Sequence, residues 1–231
     1  MVGAFHRNAR ITDIYFLPSA RYTCVVNNAC EQMQDLHNVY LPDSITNIGN
    51  DAFANSTALN HVNLSDNITK IGDQAFYIFG GATAGSLGID VEKLPAAIET
   101  LGDRAFCNAG KRVTIKDLPN KLSRIGTQCF MGCSNIAINY FGGDGSALTS
   151  IGYQAFRSAG TSAADVTEIV LNKGVALELG NNDTAYNTFG IGYPNVNKLT
   201  IGFAHKYGDD TAALIQDLFE EARTVEVHTI V

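Results

Sequence analysis

Residues 48–53 read IGNDAF, and close variants return at 71–76 (IGDQAF), 101–106 (LGDRAF), 125–130 (IGTQCF) and 151–156 (IGYQAF). A site that performs chemistry is needed once, whereas a unit too short to bury its own apolar face must be stacked on copies of itself. The recurrence therefore points to architecture. From one sextet to the next the intervals are 23, 30, 24 and 26 residues, a spacing that suits a solenoid coil of short strand and turn.

The frame extends upstream of each sextet, as LPDSITNIG (41–49), LSDNITKIG (64–72), LPAAIETLG (94–102) and LPNKLSRIG (118–126). Before it lies a strand-like beat, Leu36, Val39, Leu41 and then Leu59, Val62, Leu64, in which apolar positions flank a single exposed one. One interval upstream, VVNNAC (25–30) is a decayed sextet, with Val25 in the Ile slot, Ala29 in the Ala slot and Cys30 in the Phe slot. Ile11, Ile14 and Phe16 supply the first strand. Toward the other end Val166, Ile169 and Leu171, then Val196, Leu199 and Ile201, carry the same beat. The glycine-rich stretches at 80–88 and 141–147 read as expanded surface loops, since neither brings the Lys and helix signal of a phosphate cradle.

The composite L-x-x-V-x-L-P-x-x-[IL]-x-x-I-G-x-x-A-F resembles the BspA-type leucine-rich repeat. The resemblance implies a right-handed leucine-rich repeat solenoid, mainly short β-strands and turns with brief helical segments. It also implies a non-enzymatic binding or adhesion module at a cell surface or outside the cell. On this register residues 1–201 form the solenoid, with about seven to eight coils including degenerate ends. Residues 202–231 form a helix-strand cap or a divergent last repeat. In that tail Asp209 and Asp210 stand as N-caps before Leu214, Ile215, Leu218, Phe219 and Ala222 at helical spacing, and TVEVHTI (224–230) alternates as a strand.

Within the sextet, glycine is expected to take a left-handed conformation that reverses the chain. Ala, replaced once by Cys129, has to be small where coils stack, and Phe points inward. Phe53, Phe76, Phe106, Phe130, Phe156 and, after an Asn-rich insertion, Phe189 are the expected aromatic spine.

Bulk composition narrows the function. The chain of 231 residues is 45% apolar and 17% charged, with a net charge of −7. This opposes nucleic acid or an anionic membrane surface as partner, and no apolar run is long enough for membrane insertion. The opening residues lack the basic-then-apolar layout of a secretory signal. Five cysteines suit neither a disulfide scaffold nor a four-ligand zinc site; Cys24 and Cys30 read as small buried hydrophobes, with a disulfide between them in an oxidising compartment as the open alternative. No metal and no cofactor is expected. None of the familiar nucleophile, zinc-protease, phosphate-loop or dinucleotide motifs occurs. Asp43, Asp51, Asp66 and Asp73 recur in step with the repeat, which suits turns and caps.

Candidate contact residues follow from the strand beat, because the position between the last two apolar anchors faces outward on every coil. That row is Tyr15, Tyr40, Asn63, Asp90, Thr114, Asn139, Val170 and Thr200, flanked by His37, Asn38 and His61. Tyrosine supplies large contact area at small entropic cost. The row therefore predicts a recognition surface, biased to the N-terminal half, for a protein or a glycan. A scaffold, appendage or virion subunit is the alternative. A hydrolase using His37 and His61 as neighbouring acid and base is the third reading.

Overall fold

The structure, a computed structural model, describes residues 5–80, 89–110, 112–138, 140–142, 145–160 and 166, and beyond these the strands at 168–171, 178–179, 198–201 and 224–227. The chain winds as a β-solenoid whose coils hydrogen-bond to their neighbours. On one side run β1 (Asp13–Tyr15), β3 (Asn38–Tyr40), β5 (His61–Val62), β9 (Tyr140–Phe141), β11 (Glu168–Leu171), β13 (Lys198–Ile201) and β14 (Thr224–Val227). A second side carries β2 (Cys24–Val25), β4 (Asn47–Ile48), β6 (Lys70–Ile71), β7 (Thr100–Leu101), β8 (Arg124–Ile125), β10 (Ser150–Ile151) and β12 (Glu178–Leu179). All pairings are parallel between these strands. The second side is one seven-stranded sheet, and the first is a three-stranded and a four-stranded sheet. Isolated parallel bridges, His61 to Asp90 and Val91 to Val113, continue the three-stranded sheet into the next coils.

The strands are short because each coil turns a corner every few residues. Their inward positions, Val25, Ile48, Ile71, Leu101, Ile125 and Ile151, are all buried, as are Ile14, Val39, Val62, Val91 and Val113. Cys30 and Ala29 occupy the slots the register gives them. Phe53, Phe76, Phe106, Phe130 and Phe156 stack in one continuous column, with successive centroids 5.3, 5.3, 5.5 and 5.4 Å apart. Each ring contributes about 1.5–3 kcal/mol of burial. Phe141 closes the column edge-on to Phe156, and Phe189 lies outside the described residues.

The sextet corner differs from the sequence expectation in two ways. The glycines at 49, 72, 102, 126 and 152 are absent from the positive-φ set; the left-handed residues are Asp51, Gln74, Arg104, Gln128 and Gln154, two positions later. Glycine is required instead by closeness. A β-carbon on Gly102 would lie 2.5 Å from the Asp73 amide nitrogen, and one on Gly126 2.4 Å from the Gly102 carbonyl carbon. In place of brief helical segments, turns fill these corners, and no helix occurs among the described residues. The left-handed residue interrupts each run before a helix can propagate.

The corners nevertheless form a third ladder. Phe53 N–H donates to Ala75 O, Phe76 N–H to Ala105 O, Phe106 N–H to Cys129 O and Phe130 N–H to Ala155 O. Beside it runs a side-chain ladder. Asn27 Oδ1 accepts from Asn50 N–H, Asn50 Oδ1 from Asp73 N–H, Asp73 Oδ1 from Asp103 N–H and Asp103 Oδ1 from Thr127 N–H. In these four coils the Asn or Asp in the slot that follows the glycine position, which is Val26 in the first, therefore satisfies the next coil's amide. Phe5 N–H donates to Ala29 O and Arg7 N–H to Glu31 O. Phe5 thus holds the Phe slot of one further sextet remnant, ahead of the first strand read from the sequence. The helical stretch expected after residue 201 lies outside the described residues, while β14 pairs in parallel with β13.

Candidate functional site

Outward positions of the first ladder make the candidate surface. Ile14, Val39, Val62 and Val91 turn into the core, so the residues on either side of each face solvent. Strand pairing places Tyr15 opposite Tyr40, and Asn63 follows one coil on. Thr114 falls in that row as well, because Val113 pairs with Val91.

Asp90 does not. Its bridge to His61 puts it in the neighbouring row, Asp13, Asn38, His61 and Asp90, and Glu92 takes the position beside Asn63. The cause is Lys93, which stands where the preceding coils have Leu41 and Leu64, so Val91 is the middle anchor and not the last. Asn139 lies outside the described residues, and Tyr140, its neighbour, is the residue paired with Val170, which in turn pairs with Thr200. Here the buried anchors are Ile138 and Phe141, three positions apart rather than two.

Parallel pairing brings the aromatic side chains into contact. Tyr15 and Tyr40 stack with centroids 4.4 Å apart and planes 9° from parallel, and His61 lies 5.8 Å from Tyr40, tilted by 54°. Tyr15 is 65% exposed, so one ring face is sealed by Tyr40 and much of the remainder meets solvent. Desolvation raises the Tyr15 phenol above its usual value, with the Tyr40 hydroxyl and the Asp13 carboxylate adding to the shift. Asp13 accepts from the Thr12 hydroxyl at 2.6 Å and from Asn38 Nδ2 at 2.7 Å. These two bonds, and then His37, hold its carboxyl below the ordinary range.

Several other candidates are bonded within the chain. The Asn63 amide is spent on the backbone of Leu41, accepting its N–H at 2.6 Å and donating to its carbonyl at 2.8 Å. His37 and His61 are not opposite one another; His37 contacts Asp35 O through Nδ1 at 2.7 Å, and its own carbonyl accepts the Asn60 and His61 amides. Asp90 is salt-bridged to Arg112, and beside it Val62, Asp90, Glu92 and Lys93 line a shallow recess.

Exposed large apolar side chains concentrate at one end. Among the described residues five lie between Phe5 and Val26, namely Phe5, Tyr15, Leu17, Tyr22 and Val26, against Phe79 and Tyr140 elsewhere. Sequence reading missed Leu17 and Tyr22, because the link between β1 and β2 carries no repeat signal, and missed Tyr140 through the slipped register. No group of three or more His, Cys, Asp or Glu side chains among the described residues could hold a metal ion. All five cysteines are free, and Cys24 is exposed, contrary to its reading as a buried hydrophobe. No described helix is long and apolar enough to cross a membrane.

No curated protein matches the chain significantly in sequence. Among solved structures it is similar to a leucine-rich repeat protein from Bacteroides ovatus, at 15% identity and a TM-score of 0.33, covering 85% of this chain and 62% of that one. The pneumococcal vaccine antigen PcpA matches at 18% identity and a TM-score of 0.38, over 77% of this chain and 53% of the other. A leucine-rich cell surface protein from Faecalibacterium prausnitzii matches at 13% identity and a TM-score of 0.29, over 94% and 88%. The chain thus spans less than two thirds of the first two. Six copies of the BspA type leucine rich repeat region match over residues 3–83 and 85–175, and the chain belongs to that family.

Proposed function

We propose that the solenoid is a non-enzymatic binding module that engages a protein or a glycan through the N-terminal part of its first ladder. The stack of the exposed Tyr15 on the half-buried Tyr40 carries this reading. Two rings held parallel by neighbouring strands present area whose rotamers are already fixed, so less entropy is lost on contact. The apolar residues Leu17 and Tyr22 add area at the same end. A place at a cell surface or outside the cell is part of the same proposal and rests on the family.

The test is capture of partners from an immobilised panel of matrix proteins and glycans, by the full chain and by Tyr15→Ala and Tyr40→Ala. Capture that falls at least about tenfold, with melting temperature nearly unchanged for Tyr15→Ala, supports the surface. A partner held equally well by both variants would place the binding surface elsewhere.

A further inference from the structure

Alternate residues of a parallel strand turn their amides to opposite sides. The Thr12 carbonyl and the Phe16 N–H bond to the β3 coil, so Asp13 and Tyr15 turn theirs outward. β1 is the end of its sheet, and among the described residues none pairs with that edge. It is a strand edge of unused donors and acceptors, and such an edge templates a further strand.

The opposite edge of β1 already shows what fits. There β3 presents Asn38, Val39 and Tyr40: an amide that donates to Asp13, a β-branched side chain level with Ile14, and a ring stacked on Tyr15. Asp13 is exposed, and each carboxylate oxygen takes one bond, from Thr12 or Asn38. A third donor from solvent has a lone pair to meet. Its charge favours a cationic donor, and the open ring face of Tyr15 favours an aromatic group or a guanidinium.

We infer that the outer edge of β1 binds an extended segment of a protein partner. The segment adds as a parallel strand in the order Arg or Lys opposite Asp13, a β-branched residue opposite Ile14 and an aromatic residue opposite Tyr15. The central residue donates its N–H to the Asp13 carbonyl and accepts from the Tyr15 N–H. This rests on the strand-face reading to the extent that Tyr15 serves both.

The probe is the peptide acetyl-TRVYL-amide, presented on a biosensor surface to the full chain. Binding is expected to weaken about tenfold when the valine nitrogen is methylated, since that removes one backbone bond and adds a clash. It is also expected to weaken when arginine is replaced by glutamate. The exposed substitution Asp13→Lys should reverse that preference, favouring TEVYL over TRVYL, with a melting temperature lowered only by the loss of the exposed Thr12 and Asn38 bonds. Absence of TRVYL binding, equal binding of the N-methylated peptide, or no change of preference in Asp13→Lys would overturn the inference. So would a dimer of the chain itself that is lost in Asp13→Lys and not displaced by TRVYL. A macromolecular partner held through the tyrosines with full affinity by Asp13→Lys would remove the edge site and leave the strand-face reading standing.

Discussion

Gly102 lies so close to Asp73 in the preceding coil that a β-carbon on it would meet the Asp73 amide nitrogen at 2.5 Å. Both partners at this contact are backbone, and backbone held in a ladder has nowhere to move. Gly102→Ala is therefore expected to destabilise by about 1–3 kcal/mol or more, as overpacking does. The contrast is Gly80, where nothing lies within 4 Å and only the positive φ of 77° opposes a side chain. Gly80→Ala should cost about 1 kcal/mol. Urea denaturation of the two variants checks the order, and equal losses would mean that closeness is not what the sextet glycine serves.

Phe106 sits at the centre of the aromatic column, fully buried between Phe76 and Phe130. Phe106→Ala should cost about 3–5 kcal/mol, because both neighbours lose contacts across the cavity. Phe5, aligned with Cys30 at the open end and 40% exposed, should lose much less on the same truncation. A melting-temperature shift as large for Phe5→Ala as for Phe106→Ala would contradict the column's placement.

The column was legible in the sequence because the sextet repeats with Phe always in one slot, and a repeated slot in stacked coils is a shared position in space. The reason for the glycine was not. Left-handed geometry and close approach both call for Gly, and only coordinates separate them. The contact row could be read where Leu41 and Leu64 mark the last anchor. It slipped at Asp90, where Lys93 replaces that anchor, and it passed over Tyr140, because the buried Ile138 and Phe141 stand three positions apart. The double use of the Asn63 amide on Leu41 had no local signal, since it depends on a coil-to-coil distance. The dipeptide Ala4-Phe5 could have been recognised by its separation from Ala29-Cys30, but a lone dipeptide is a weak match.

Burial divides the five thiols. Cys30 and Cys133 are pushed up to about 12 and Cys107 to about 11 by burial, and Cys129 rises well above its usual range for the same reason. Cys24 is exposed; partial burial raises its thiol while Lys70 opposes the shift. Since the thiolate is the reactive form, an aromatic disulfide reagent at pH 8 should label Cys24 in the folded chain and the other four only on unfolding. Peptide mass mapping of the first label, and its disappearance in Cys24→Ser, checks the assignment. Rapid labelling of Cys30 under native conditions would contradict the burial of its coil.

Asp51 holds a left-handed corner at φ 55°, and its carboxyl is raised above the usual value by burial first and then by Glu31 and Asp73. A carboxyl raised on folding prefers its proton in the folded state, so its ionisation works against the fold. The cost appears as pH rises from the unfolded value of 3.8 through the raised folded value, and it is constant above that. An asparagine at this corner would carry no charge, and asparagine tolerates the left-handed region well. Asp51→Asn should therefore be more stable than the parent at pH 7, by less than about 1 kcal/mol because solvent screens the site. The charge-dependent part of that gain should vanish below the unfolded value, where both chains are neutral at this position. Paired urea titrations at pH 7 and pH 3 measure the difference directly. A variant less stable than the parent at pH 7, or a gain that does not shrink on acidification, would show that ionisation of Asp51 does not work against the fold.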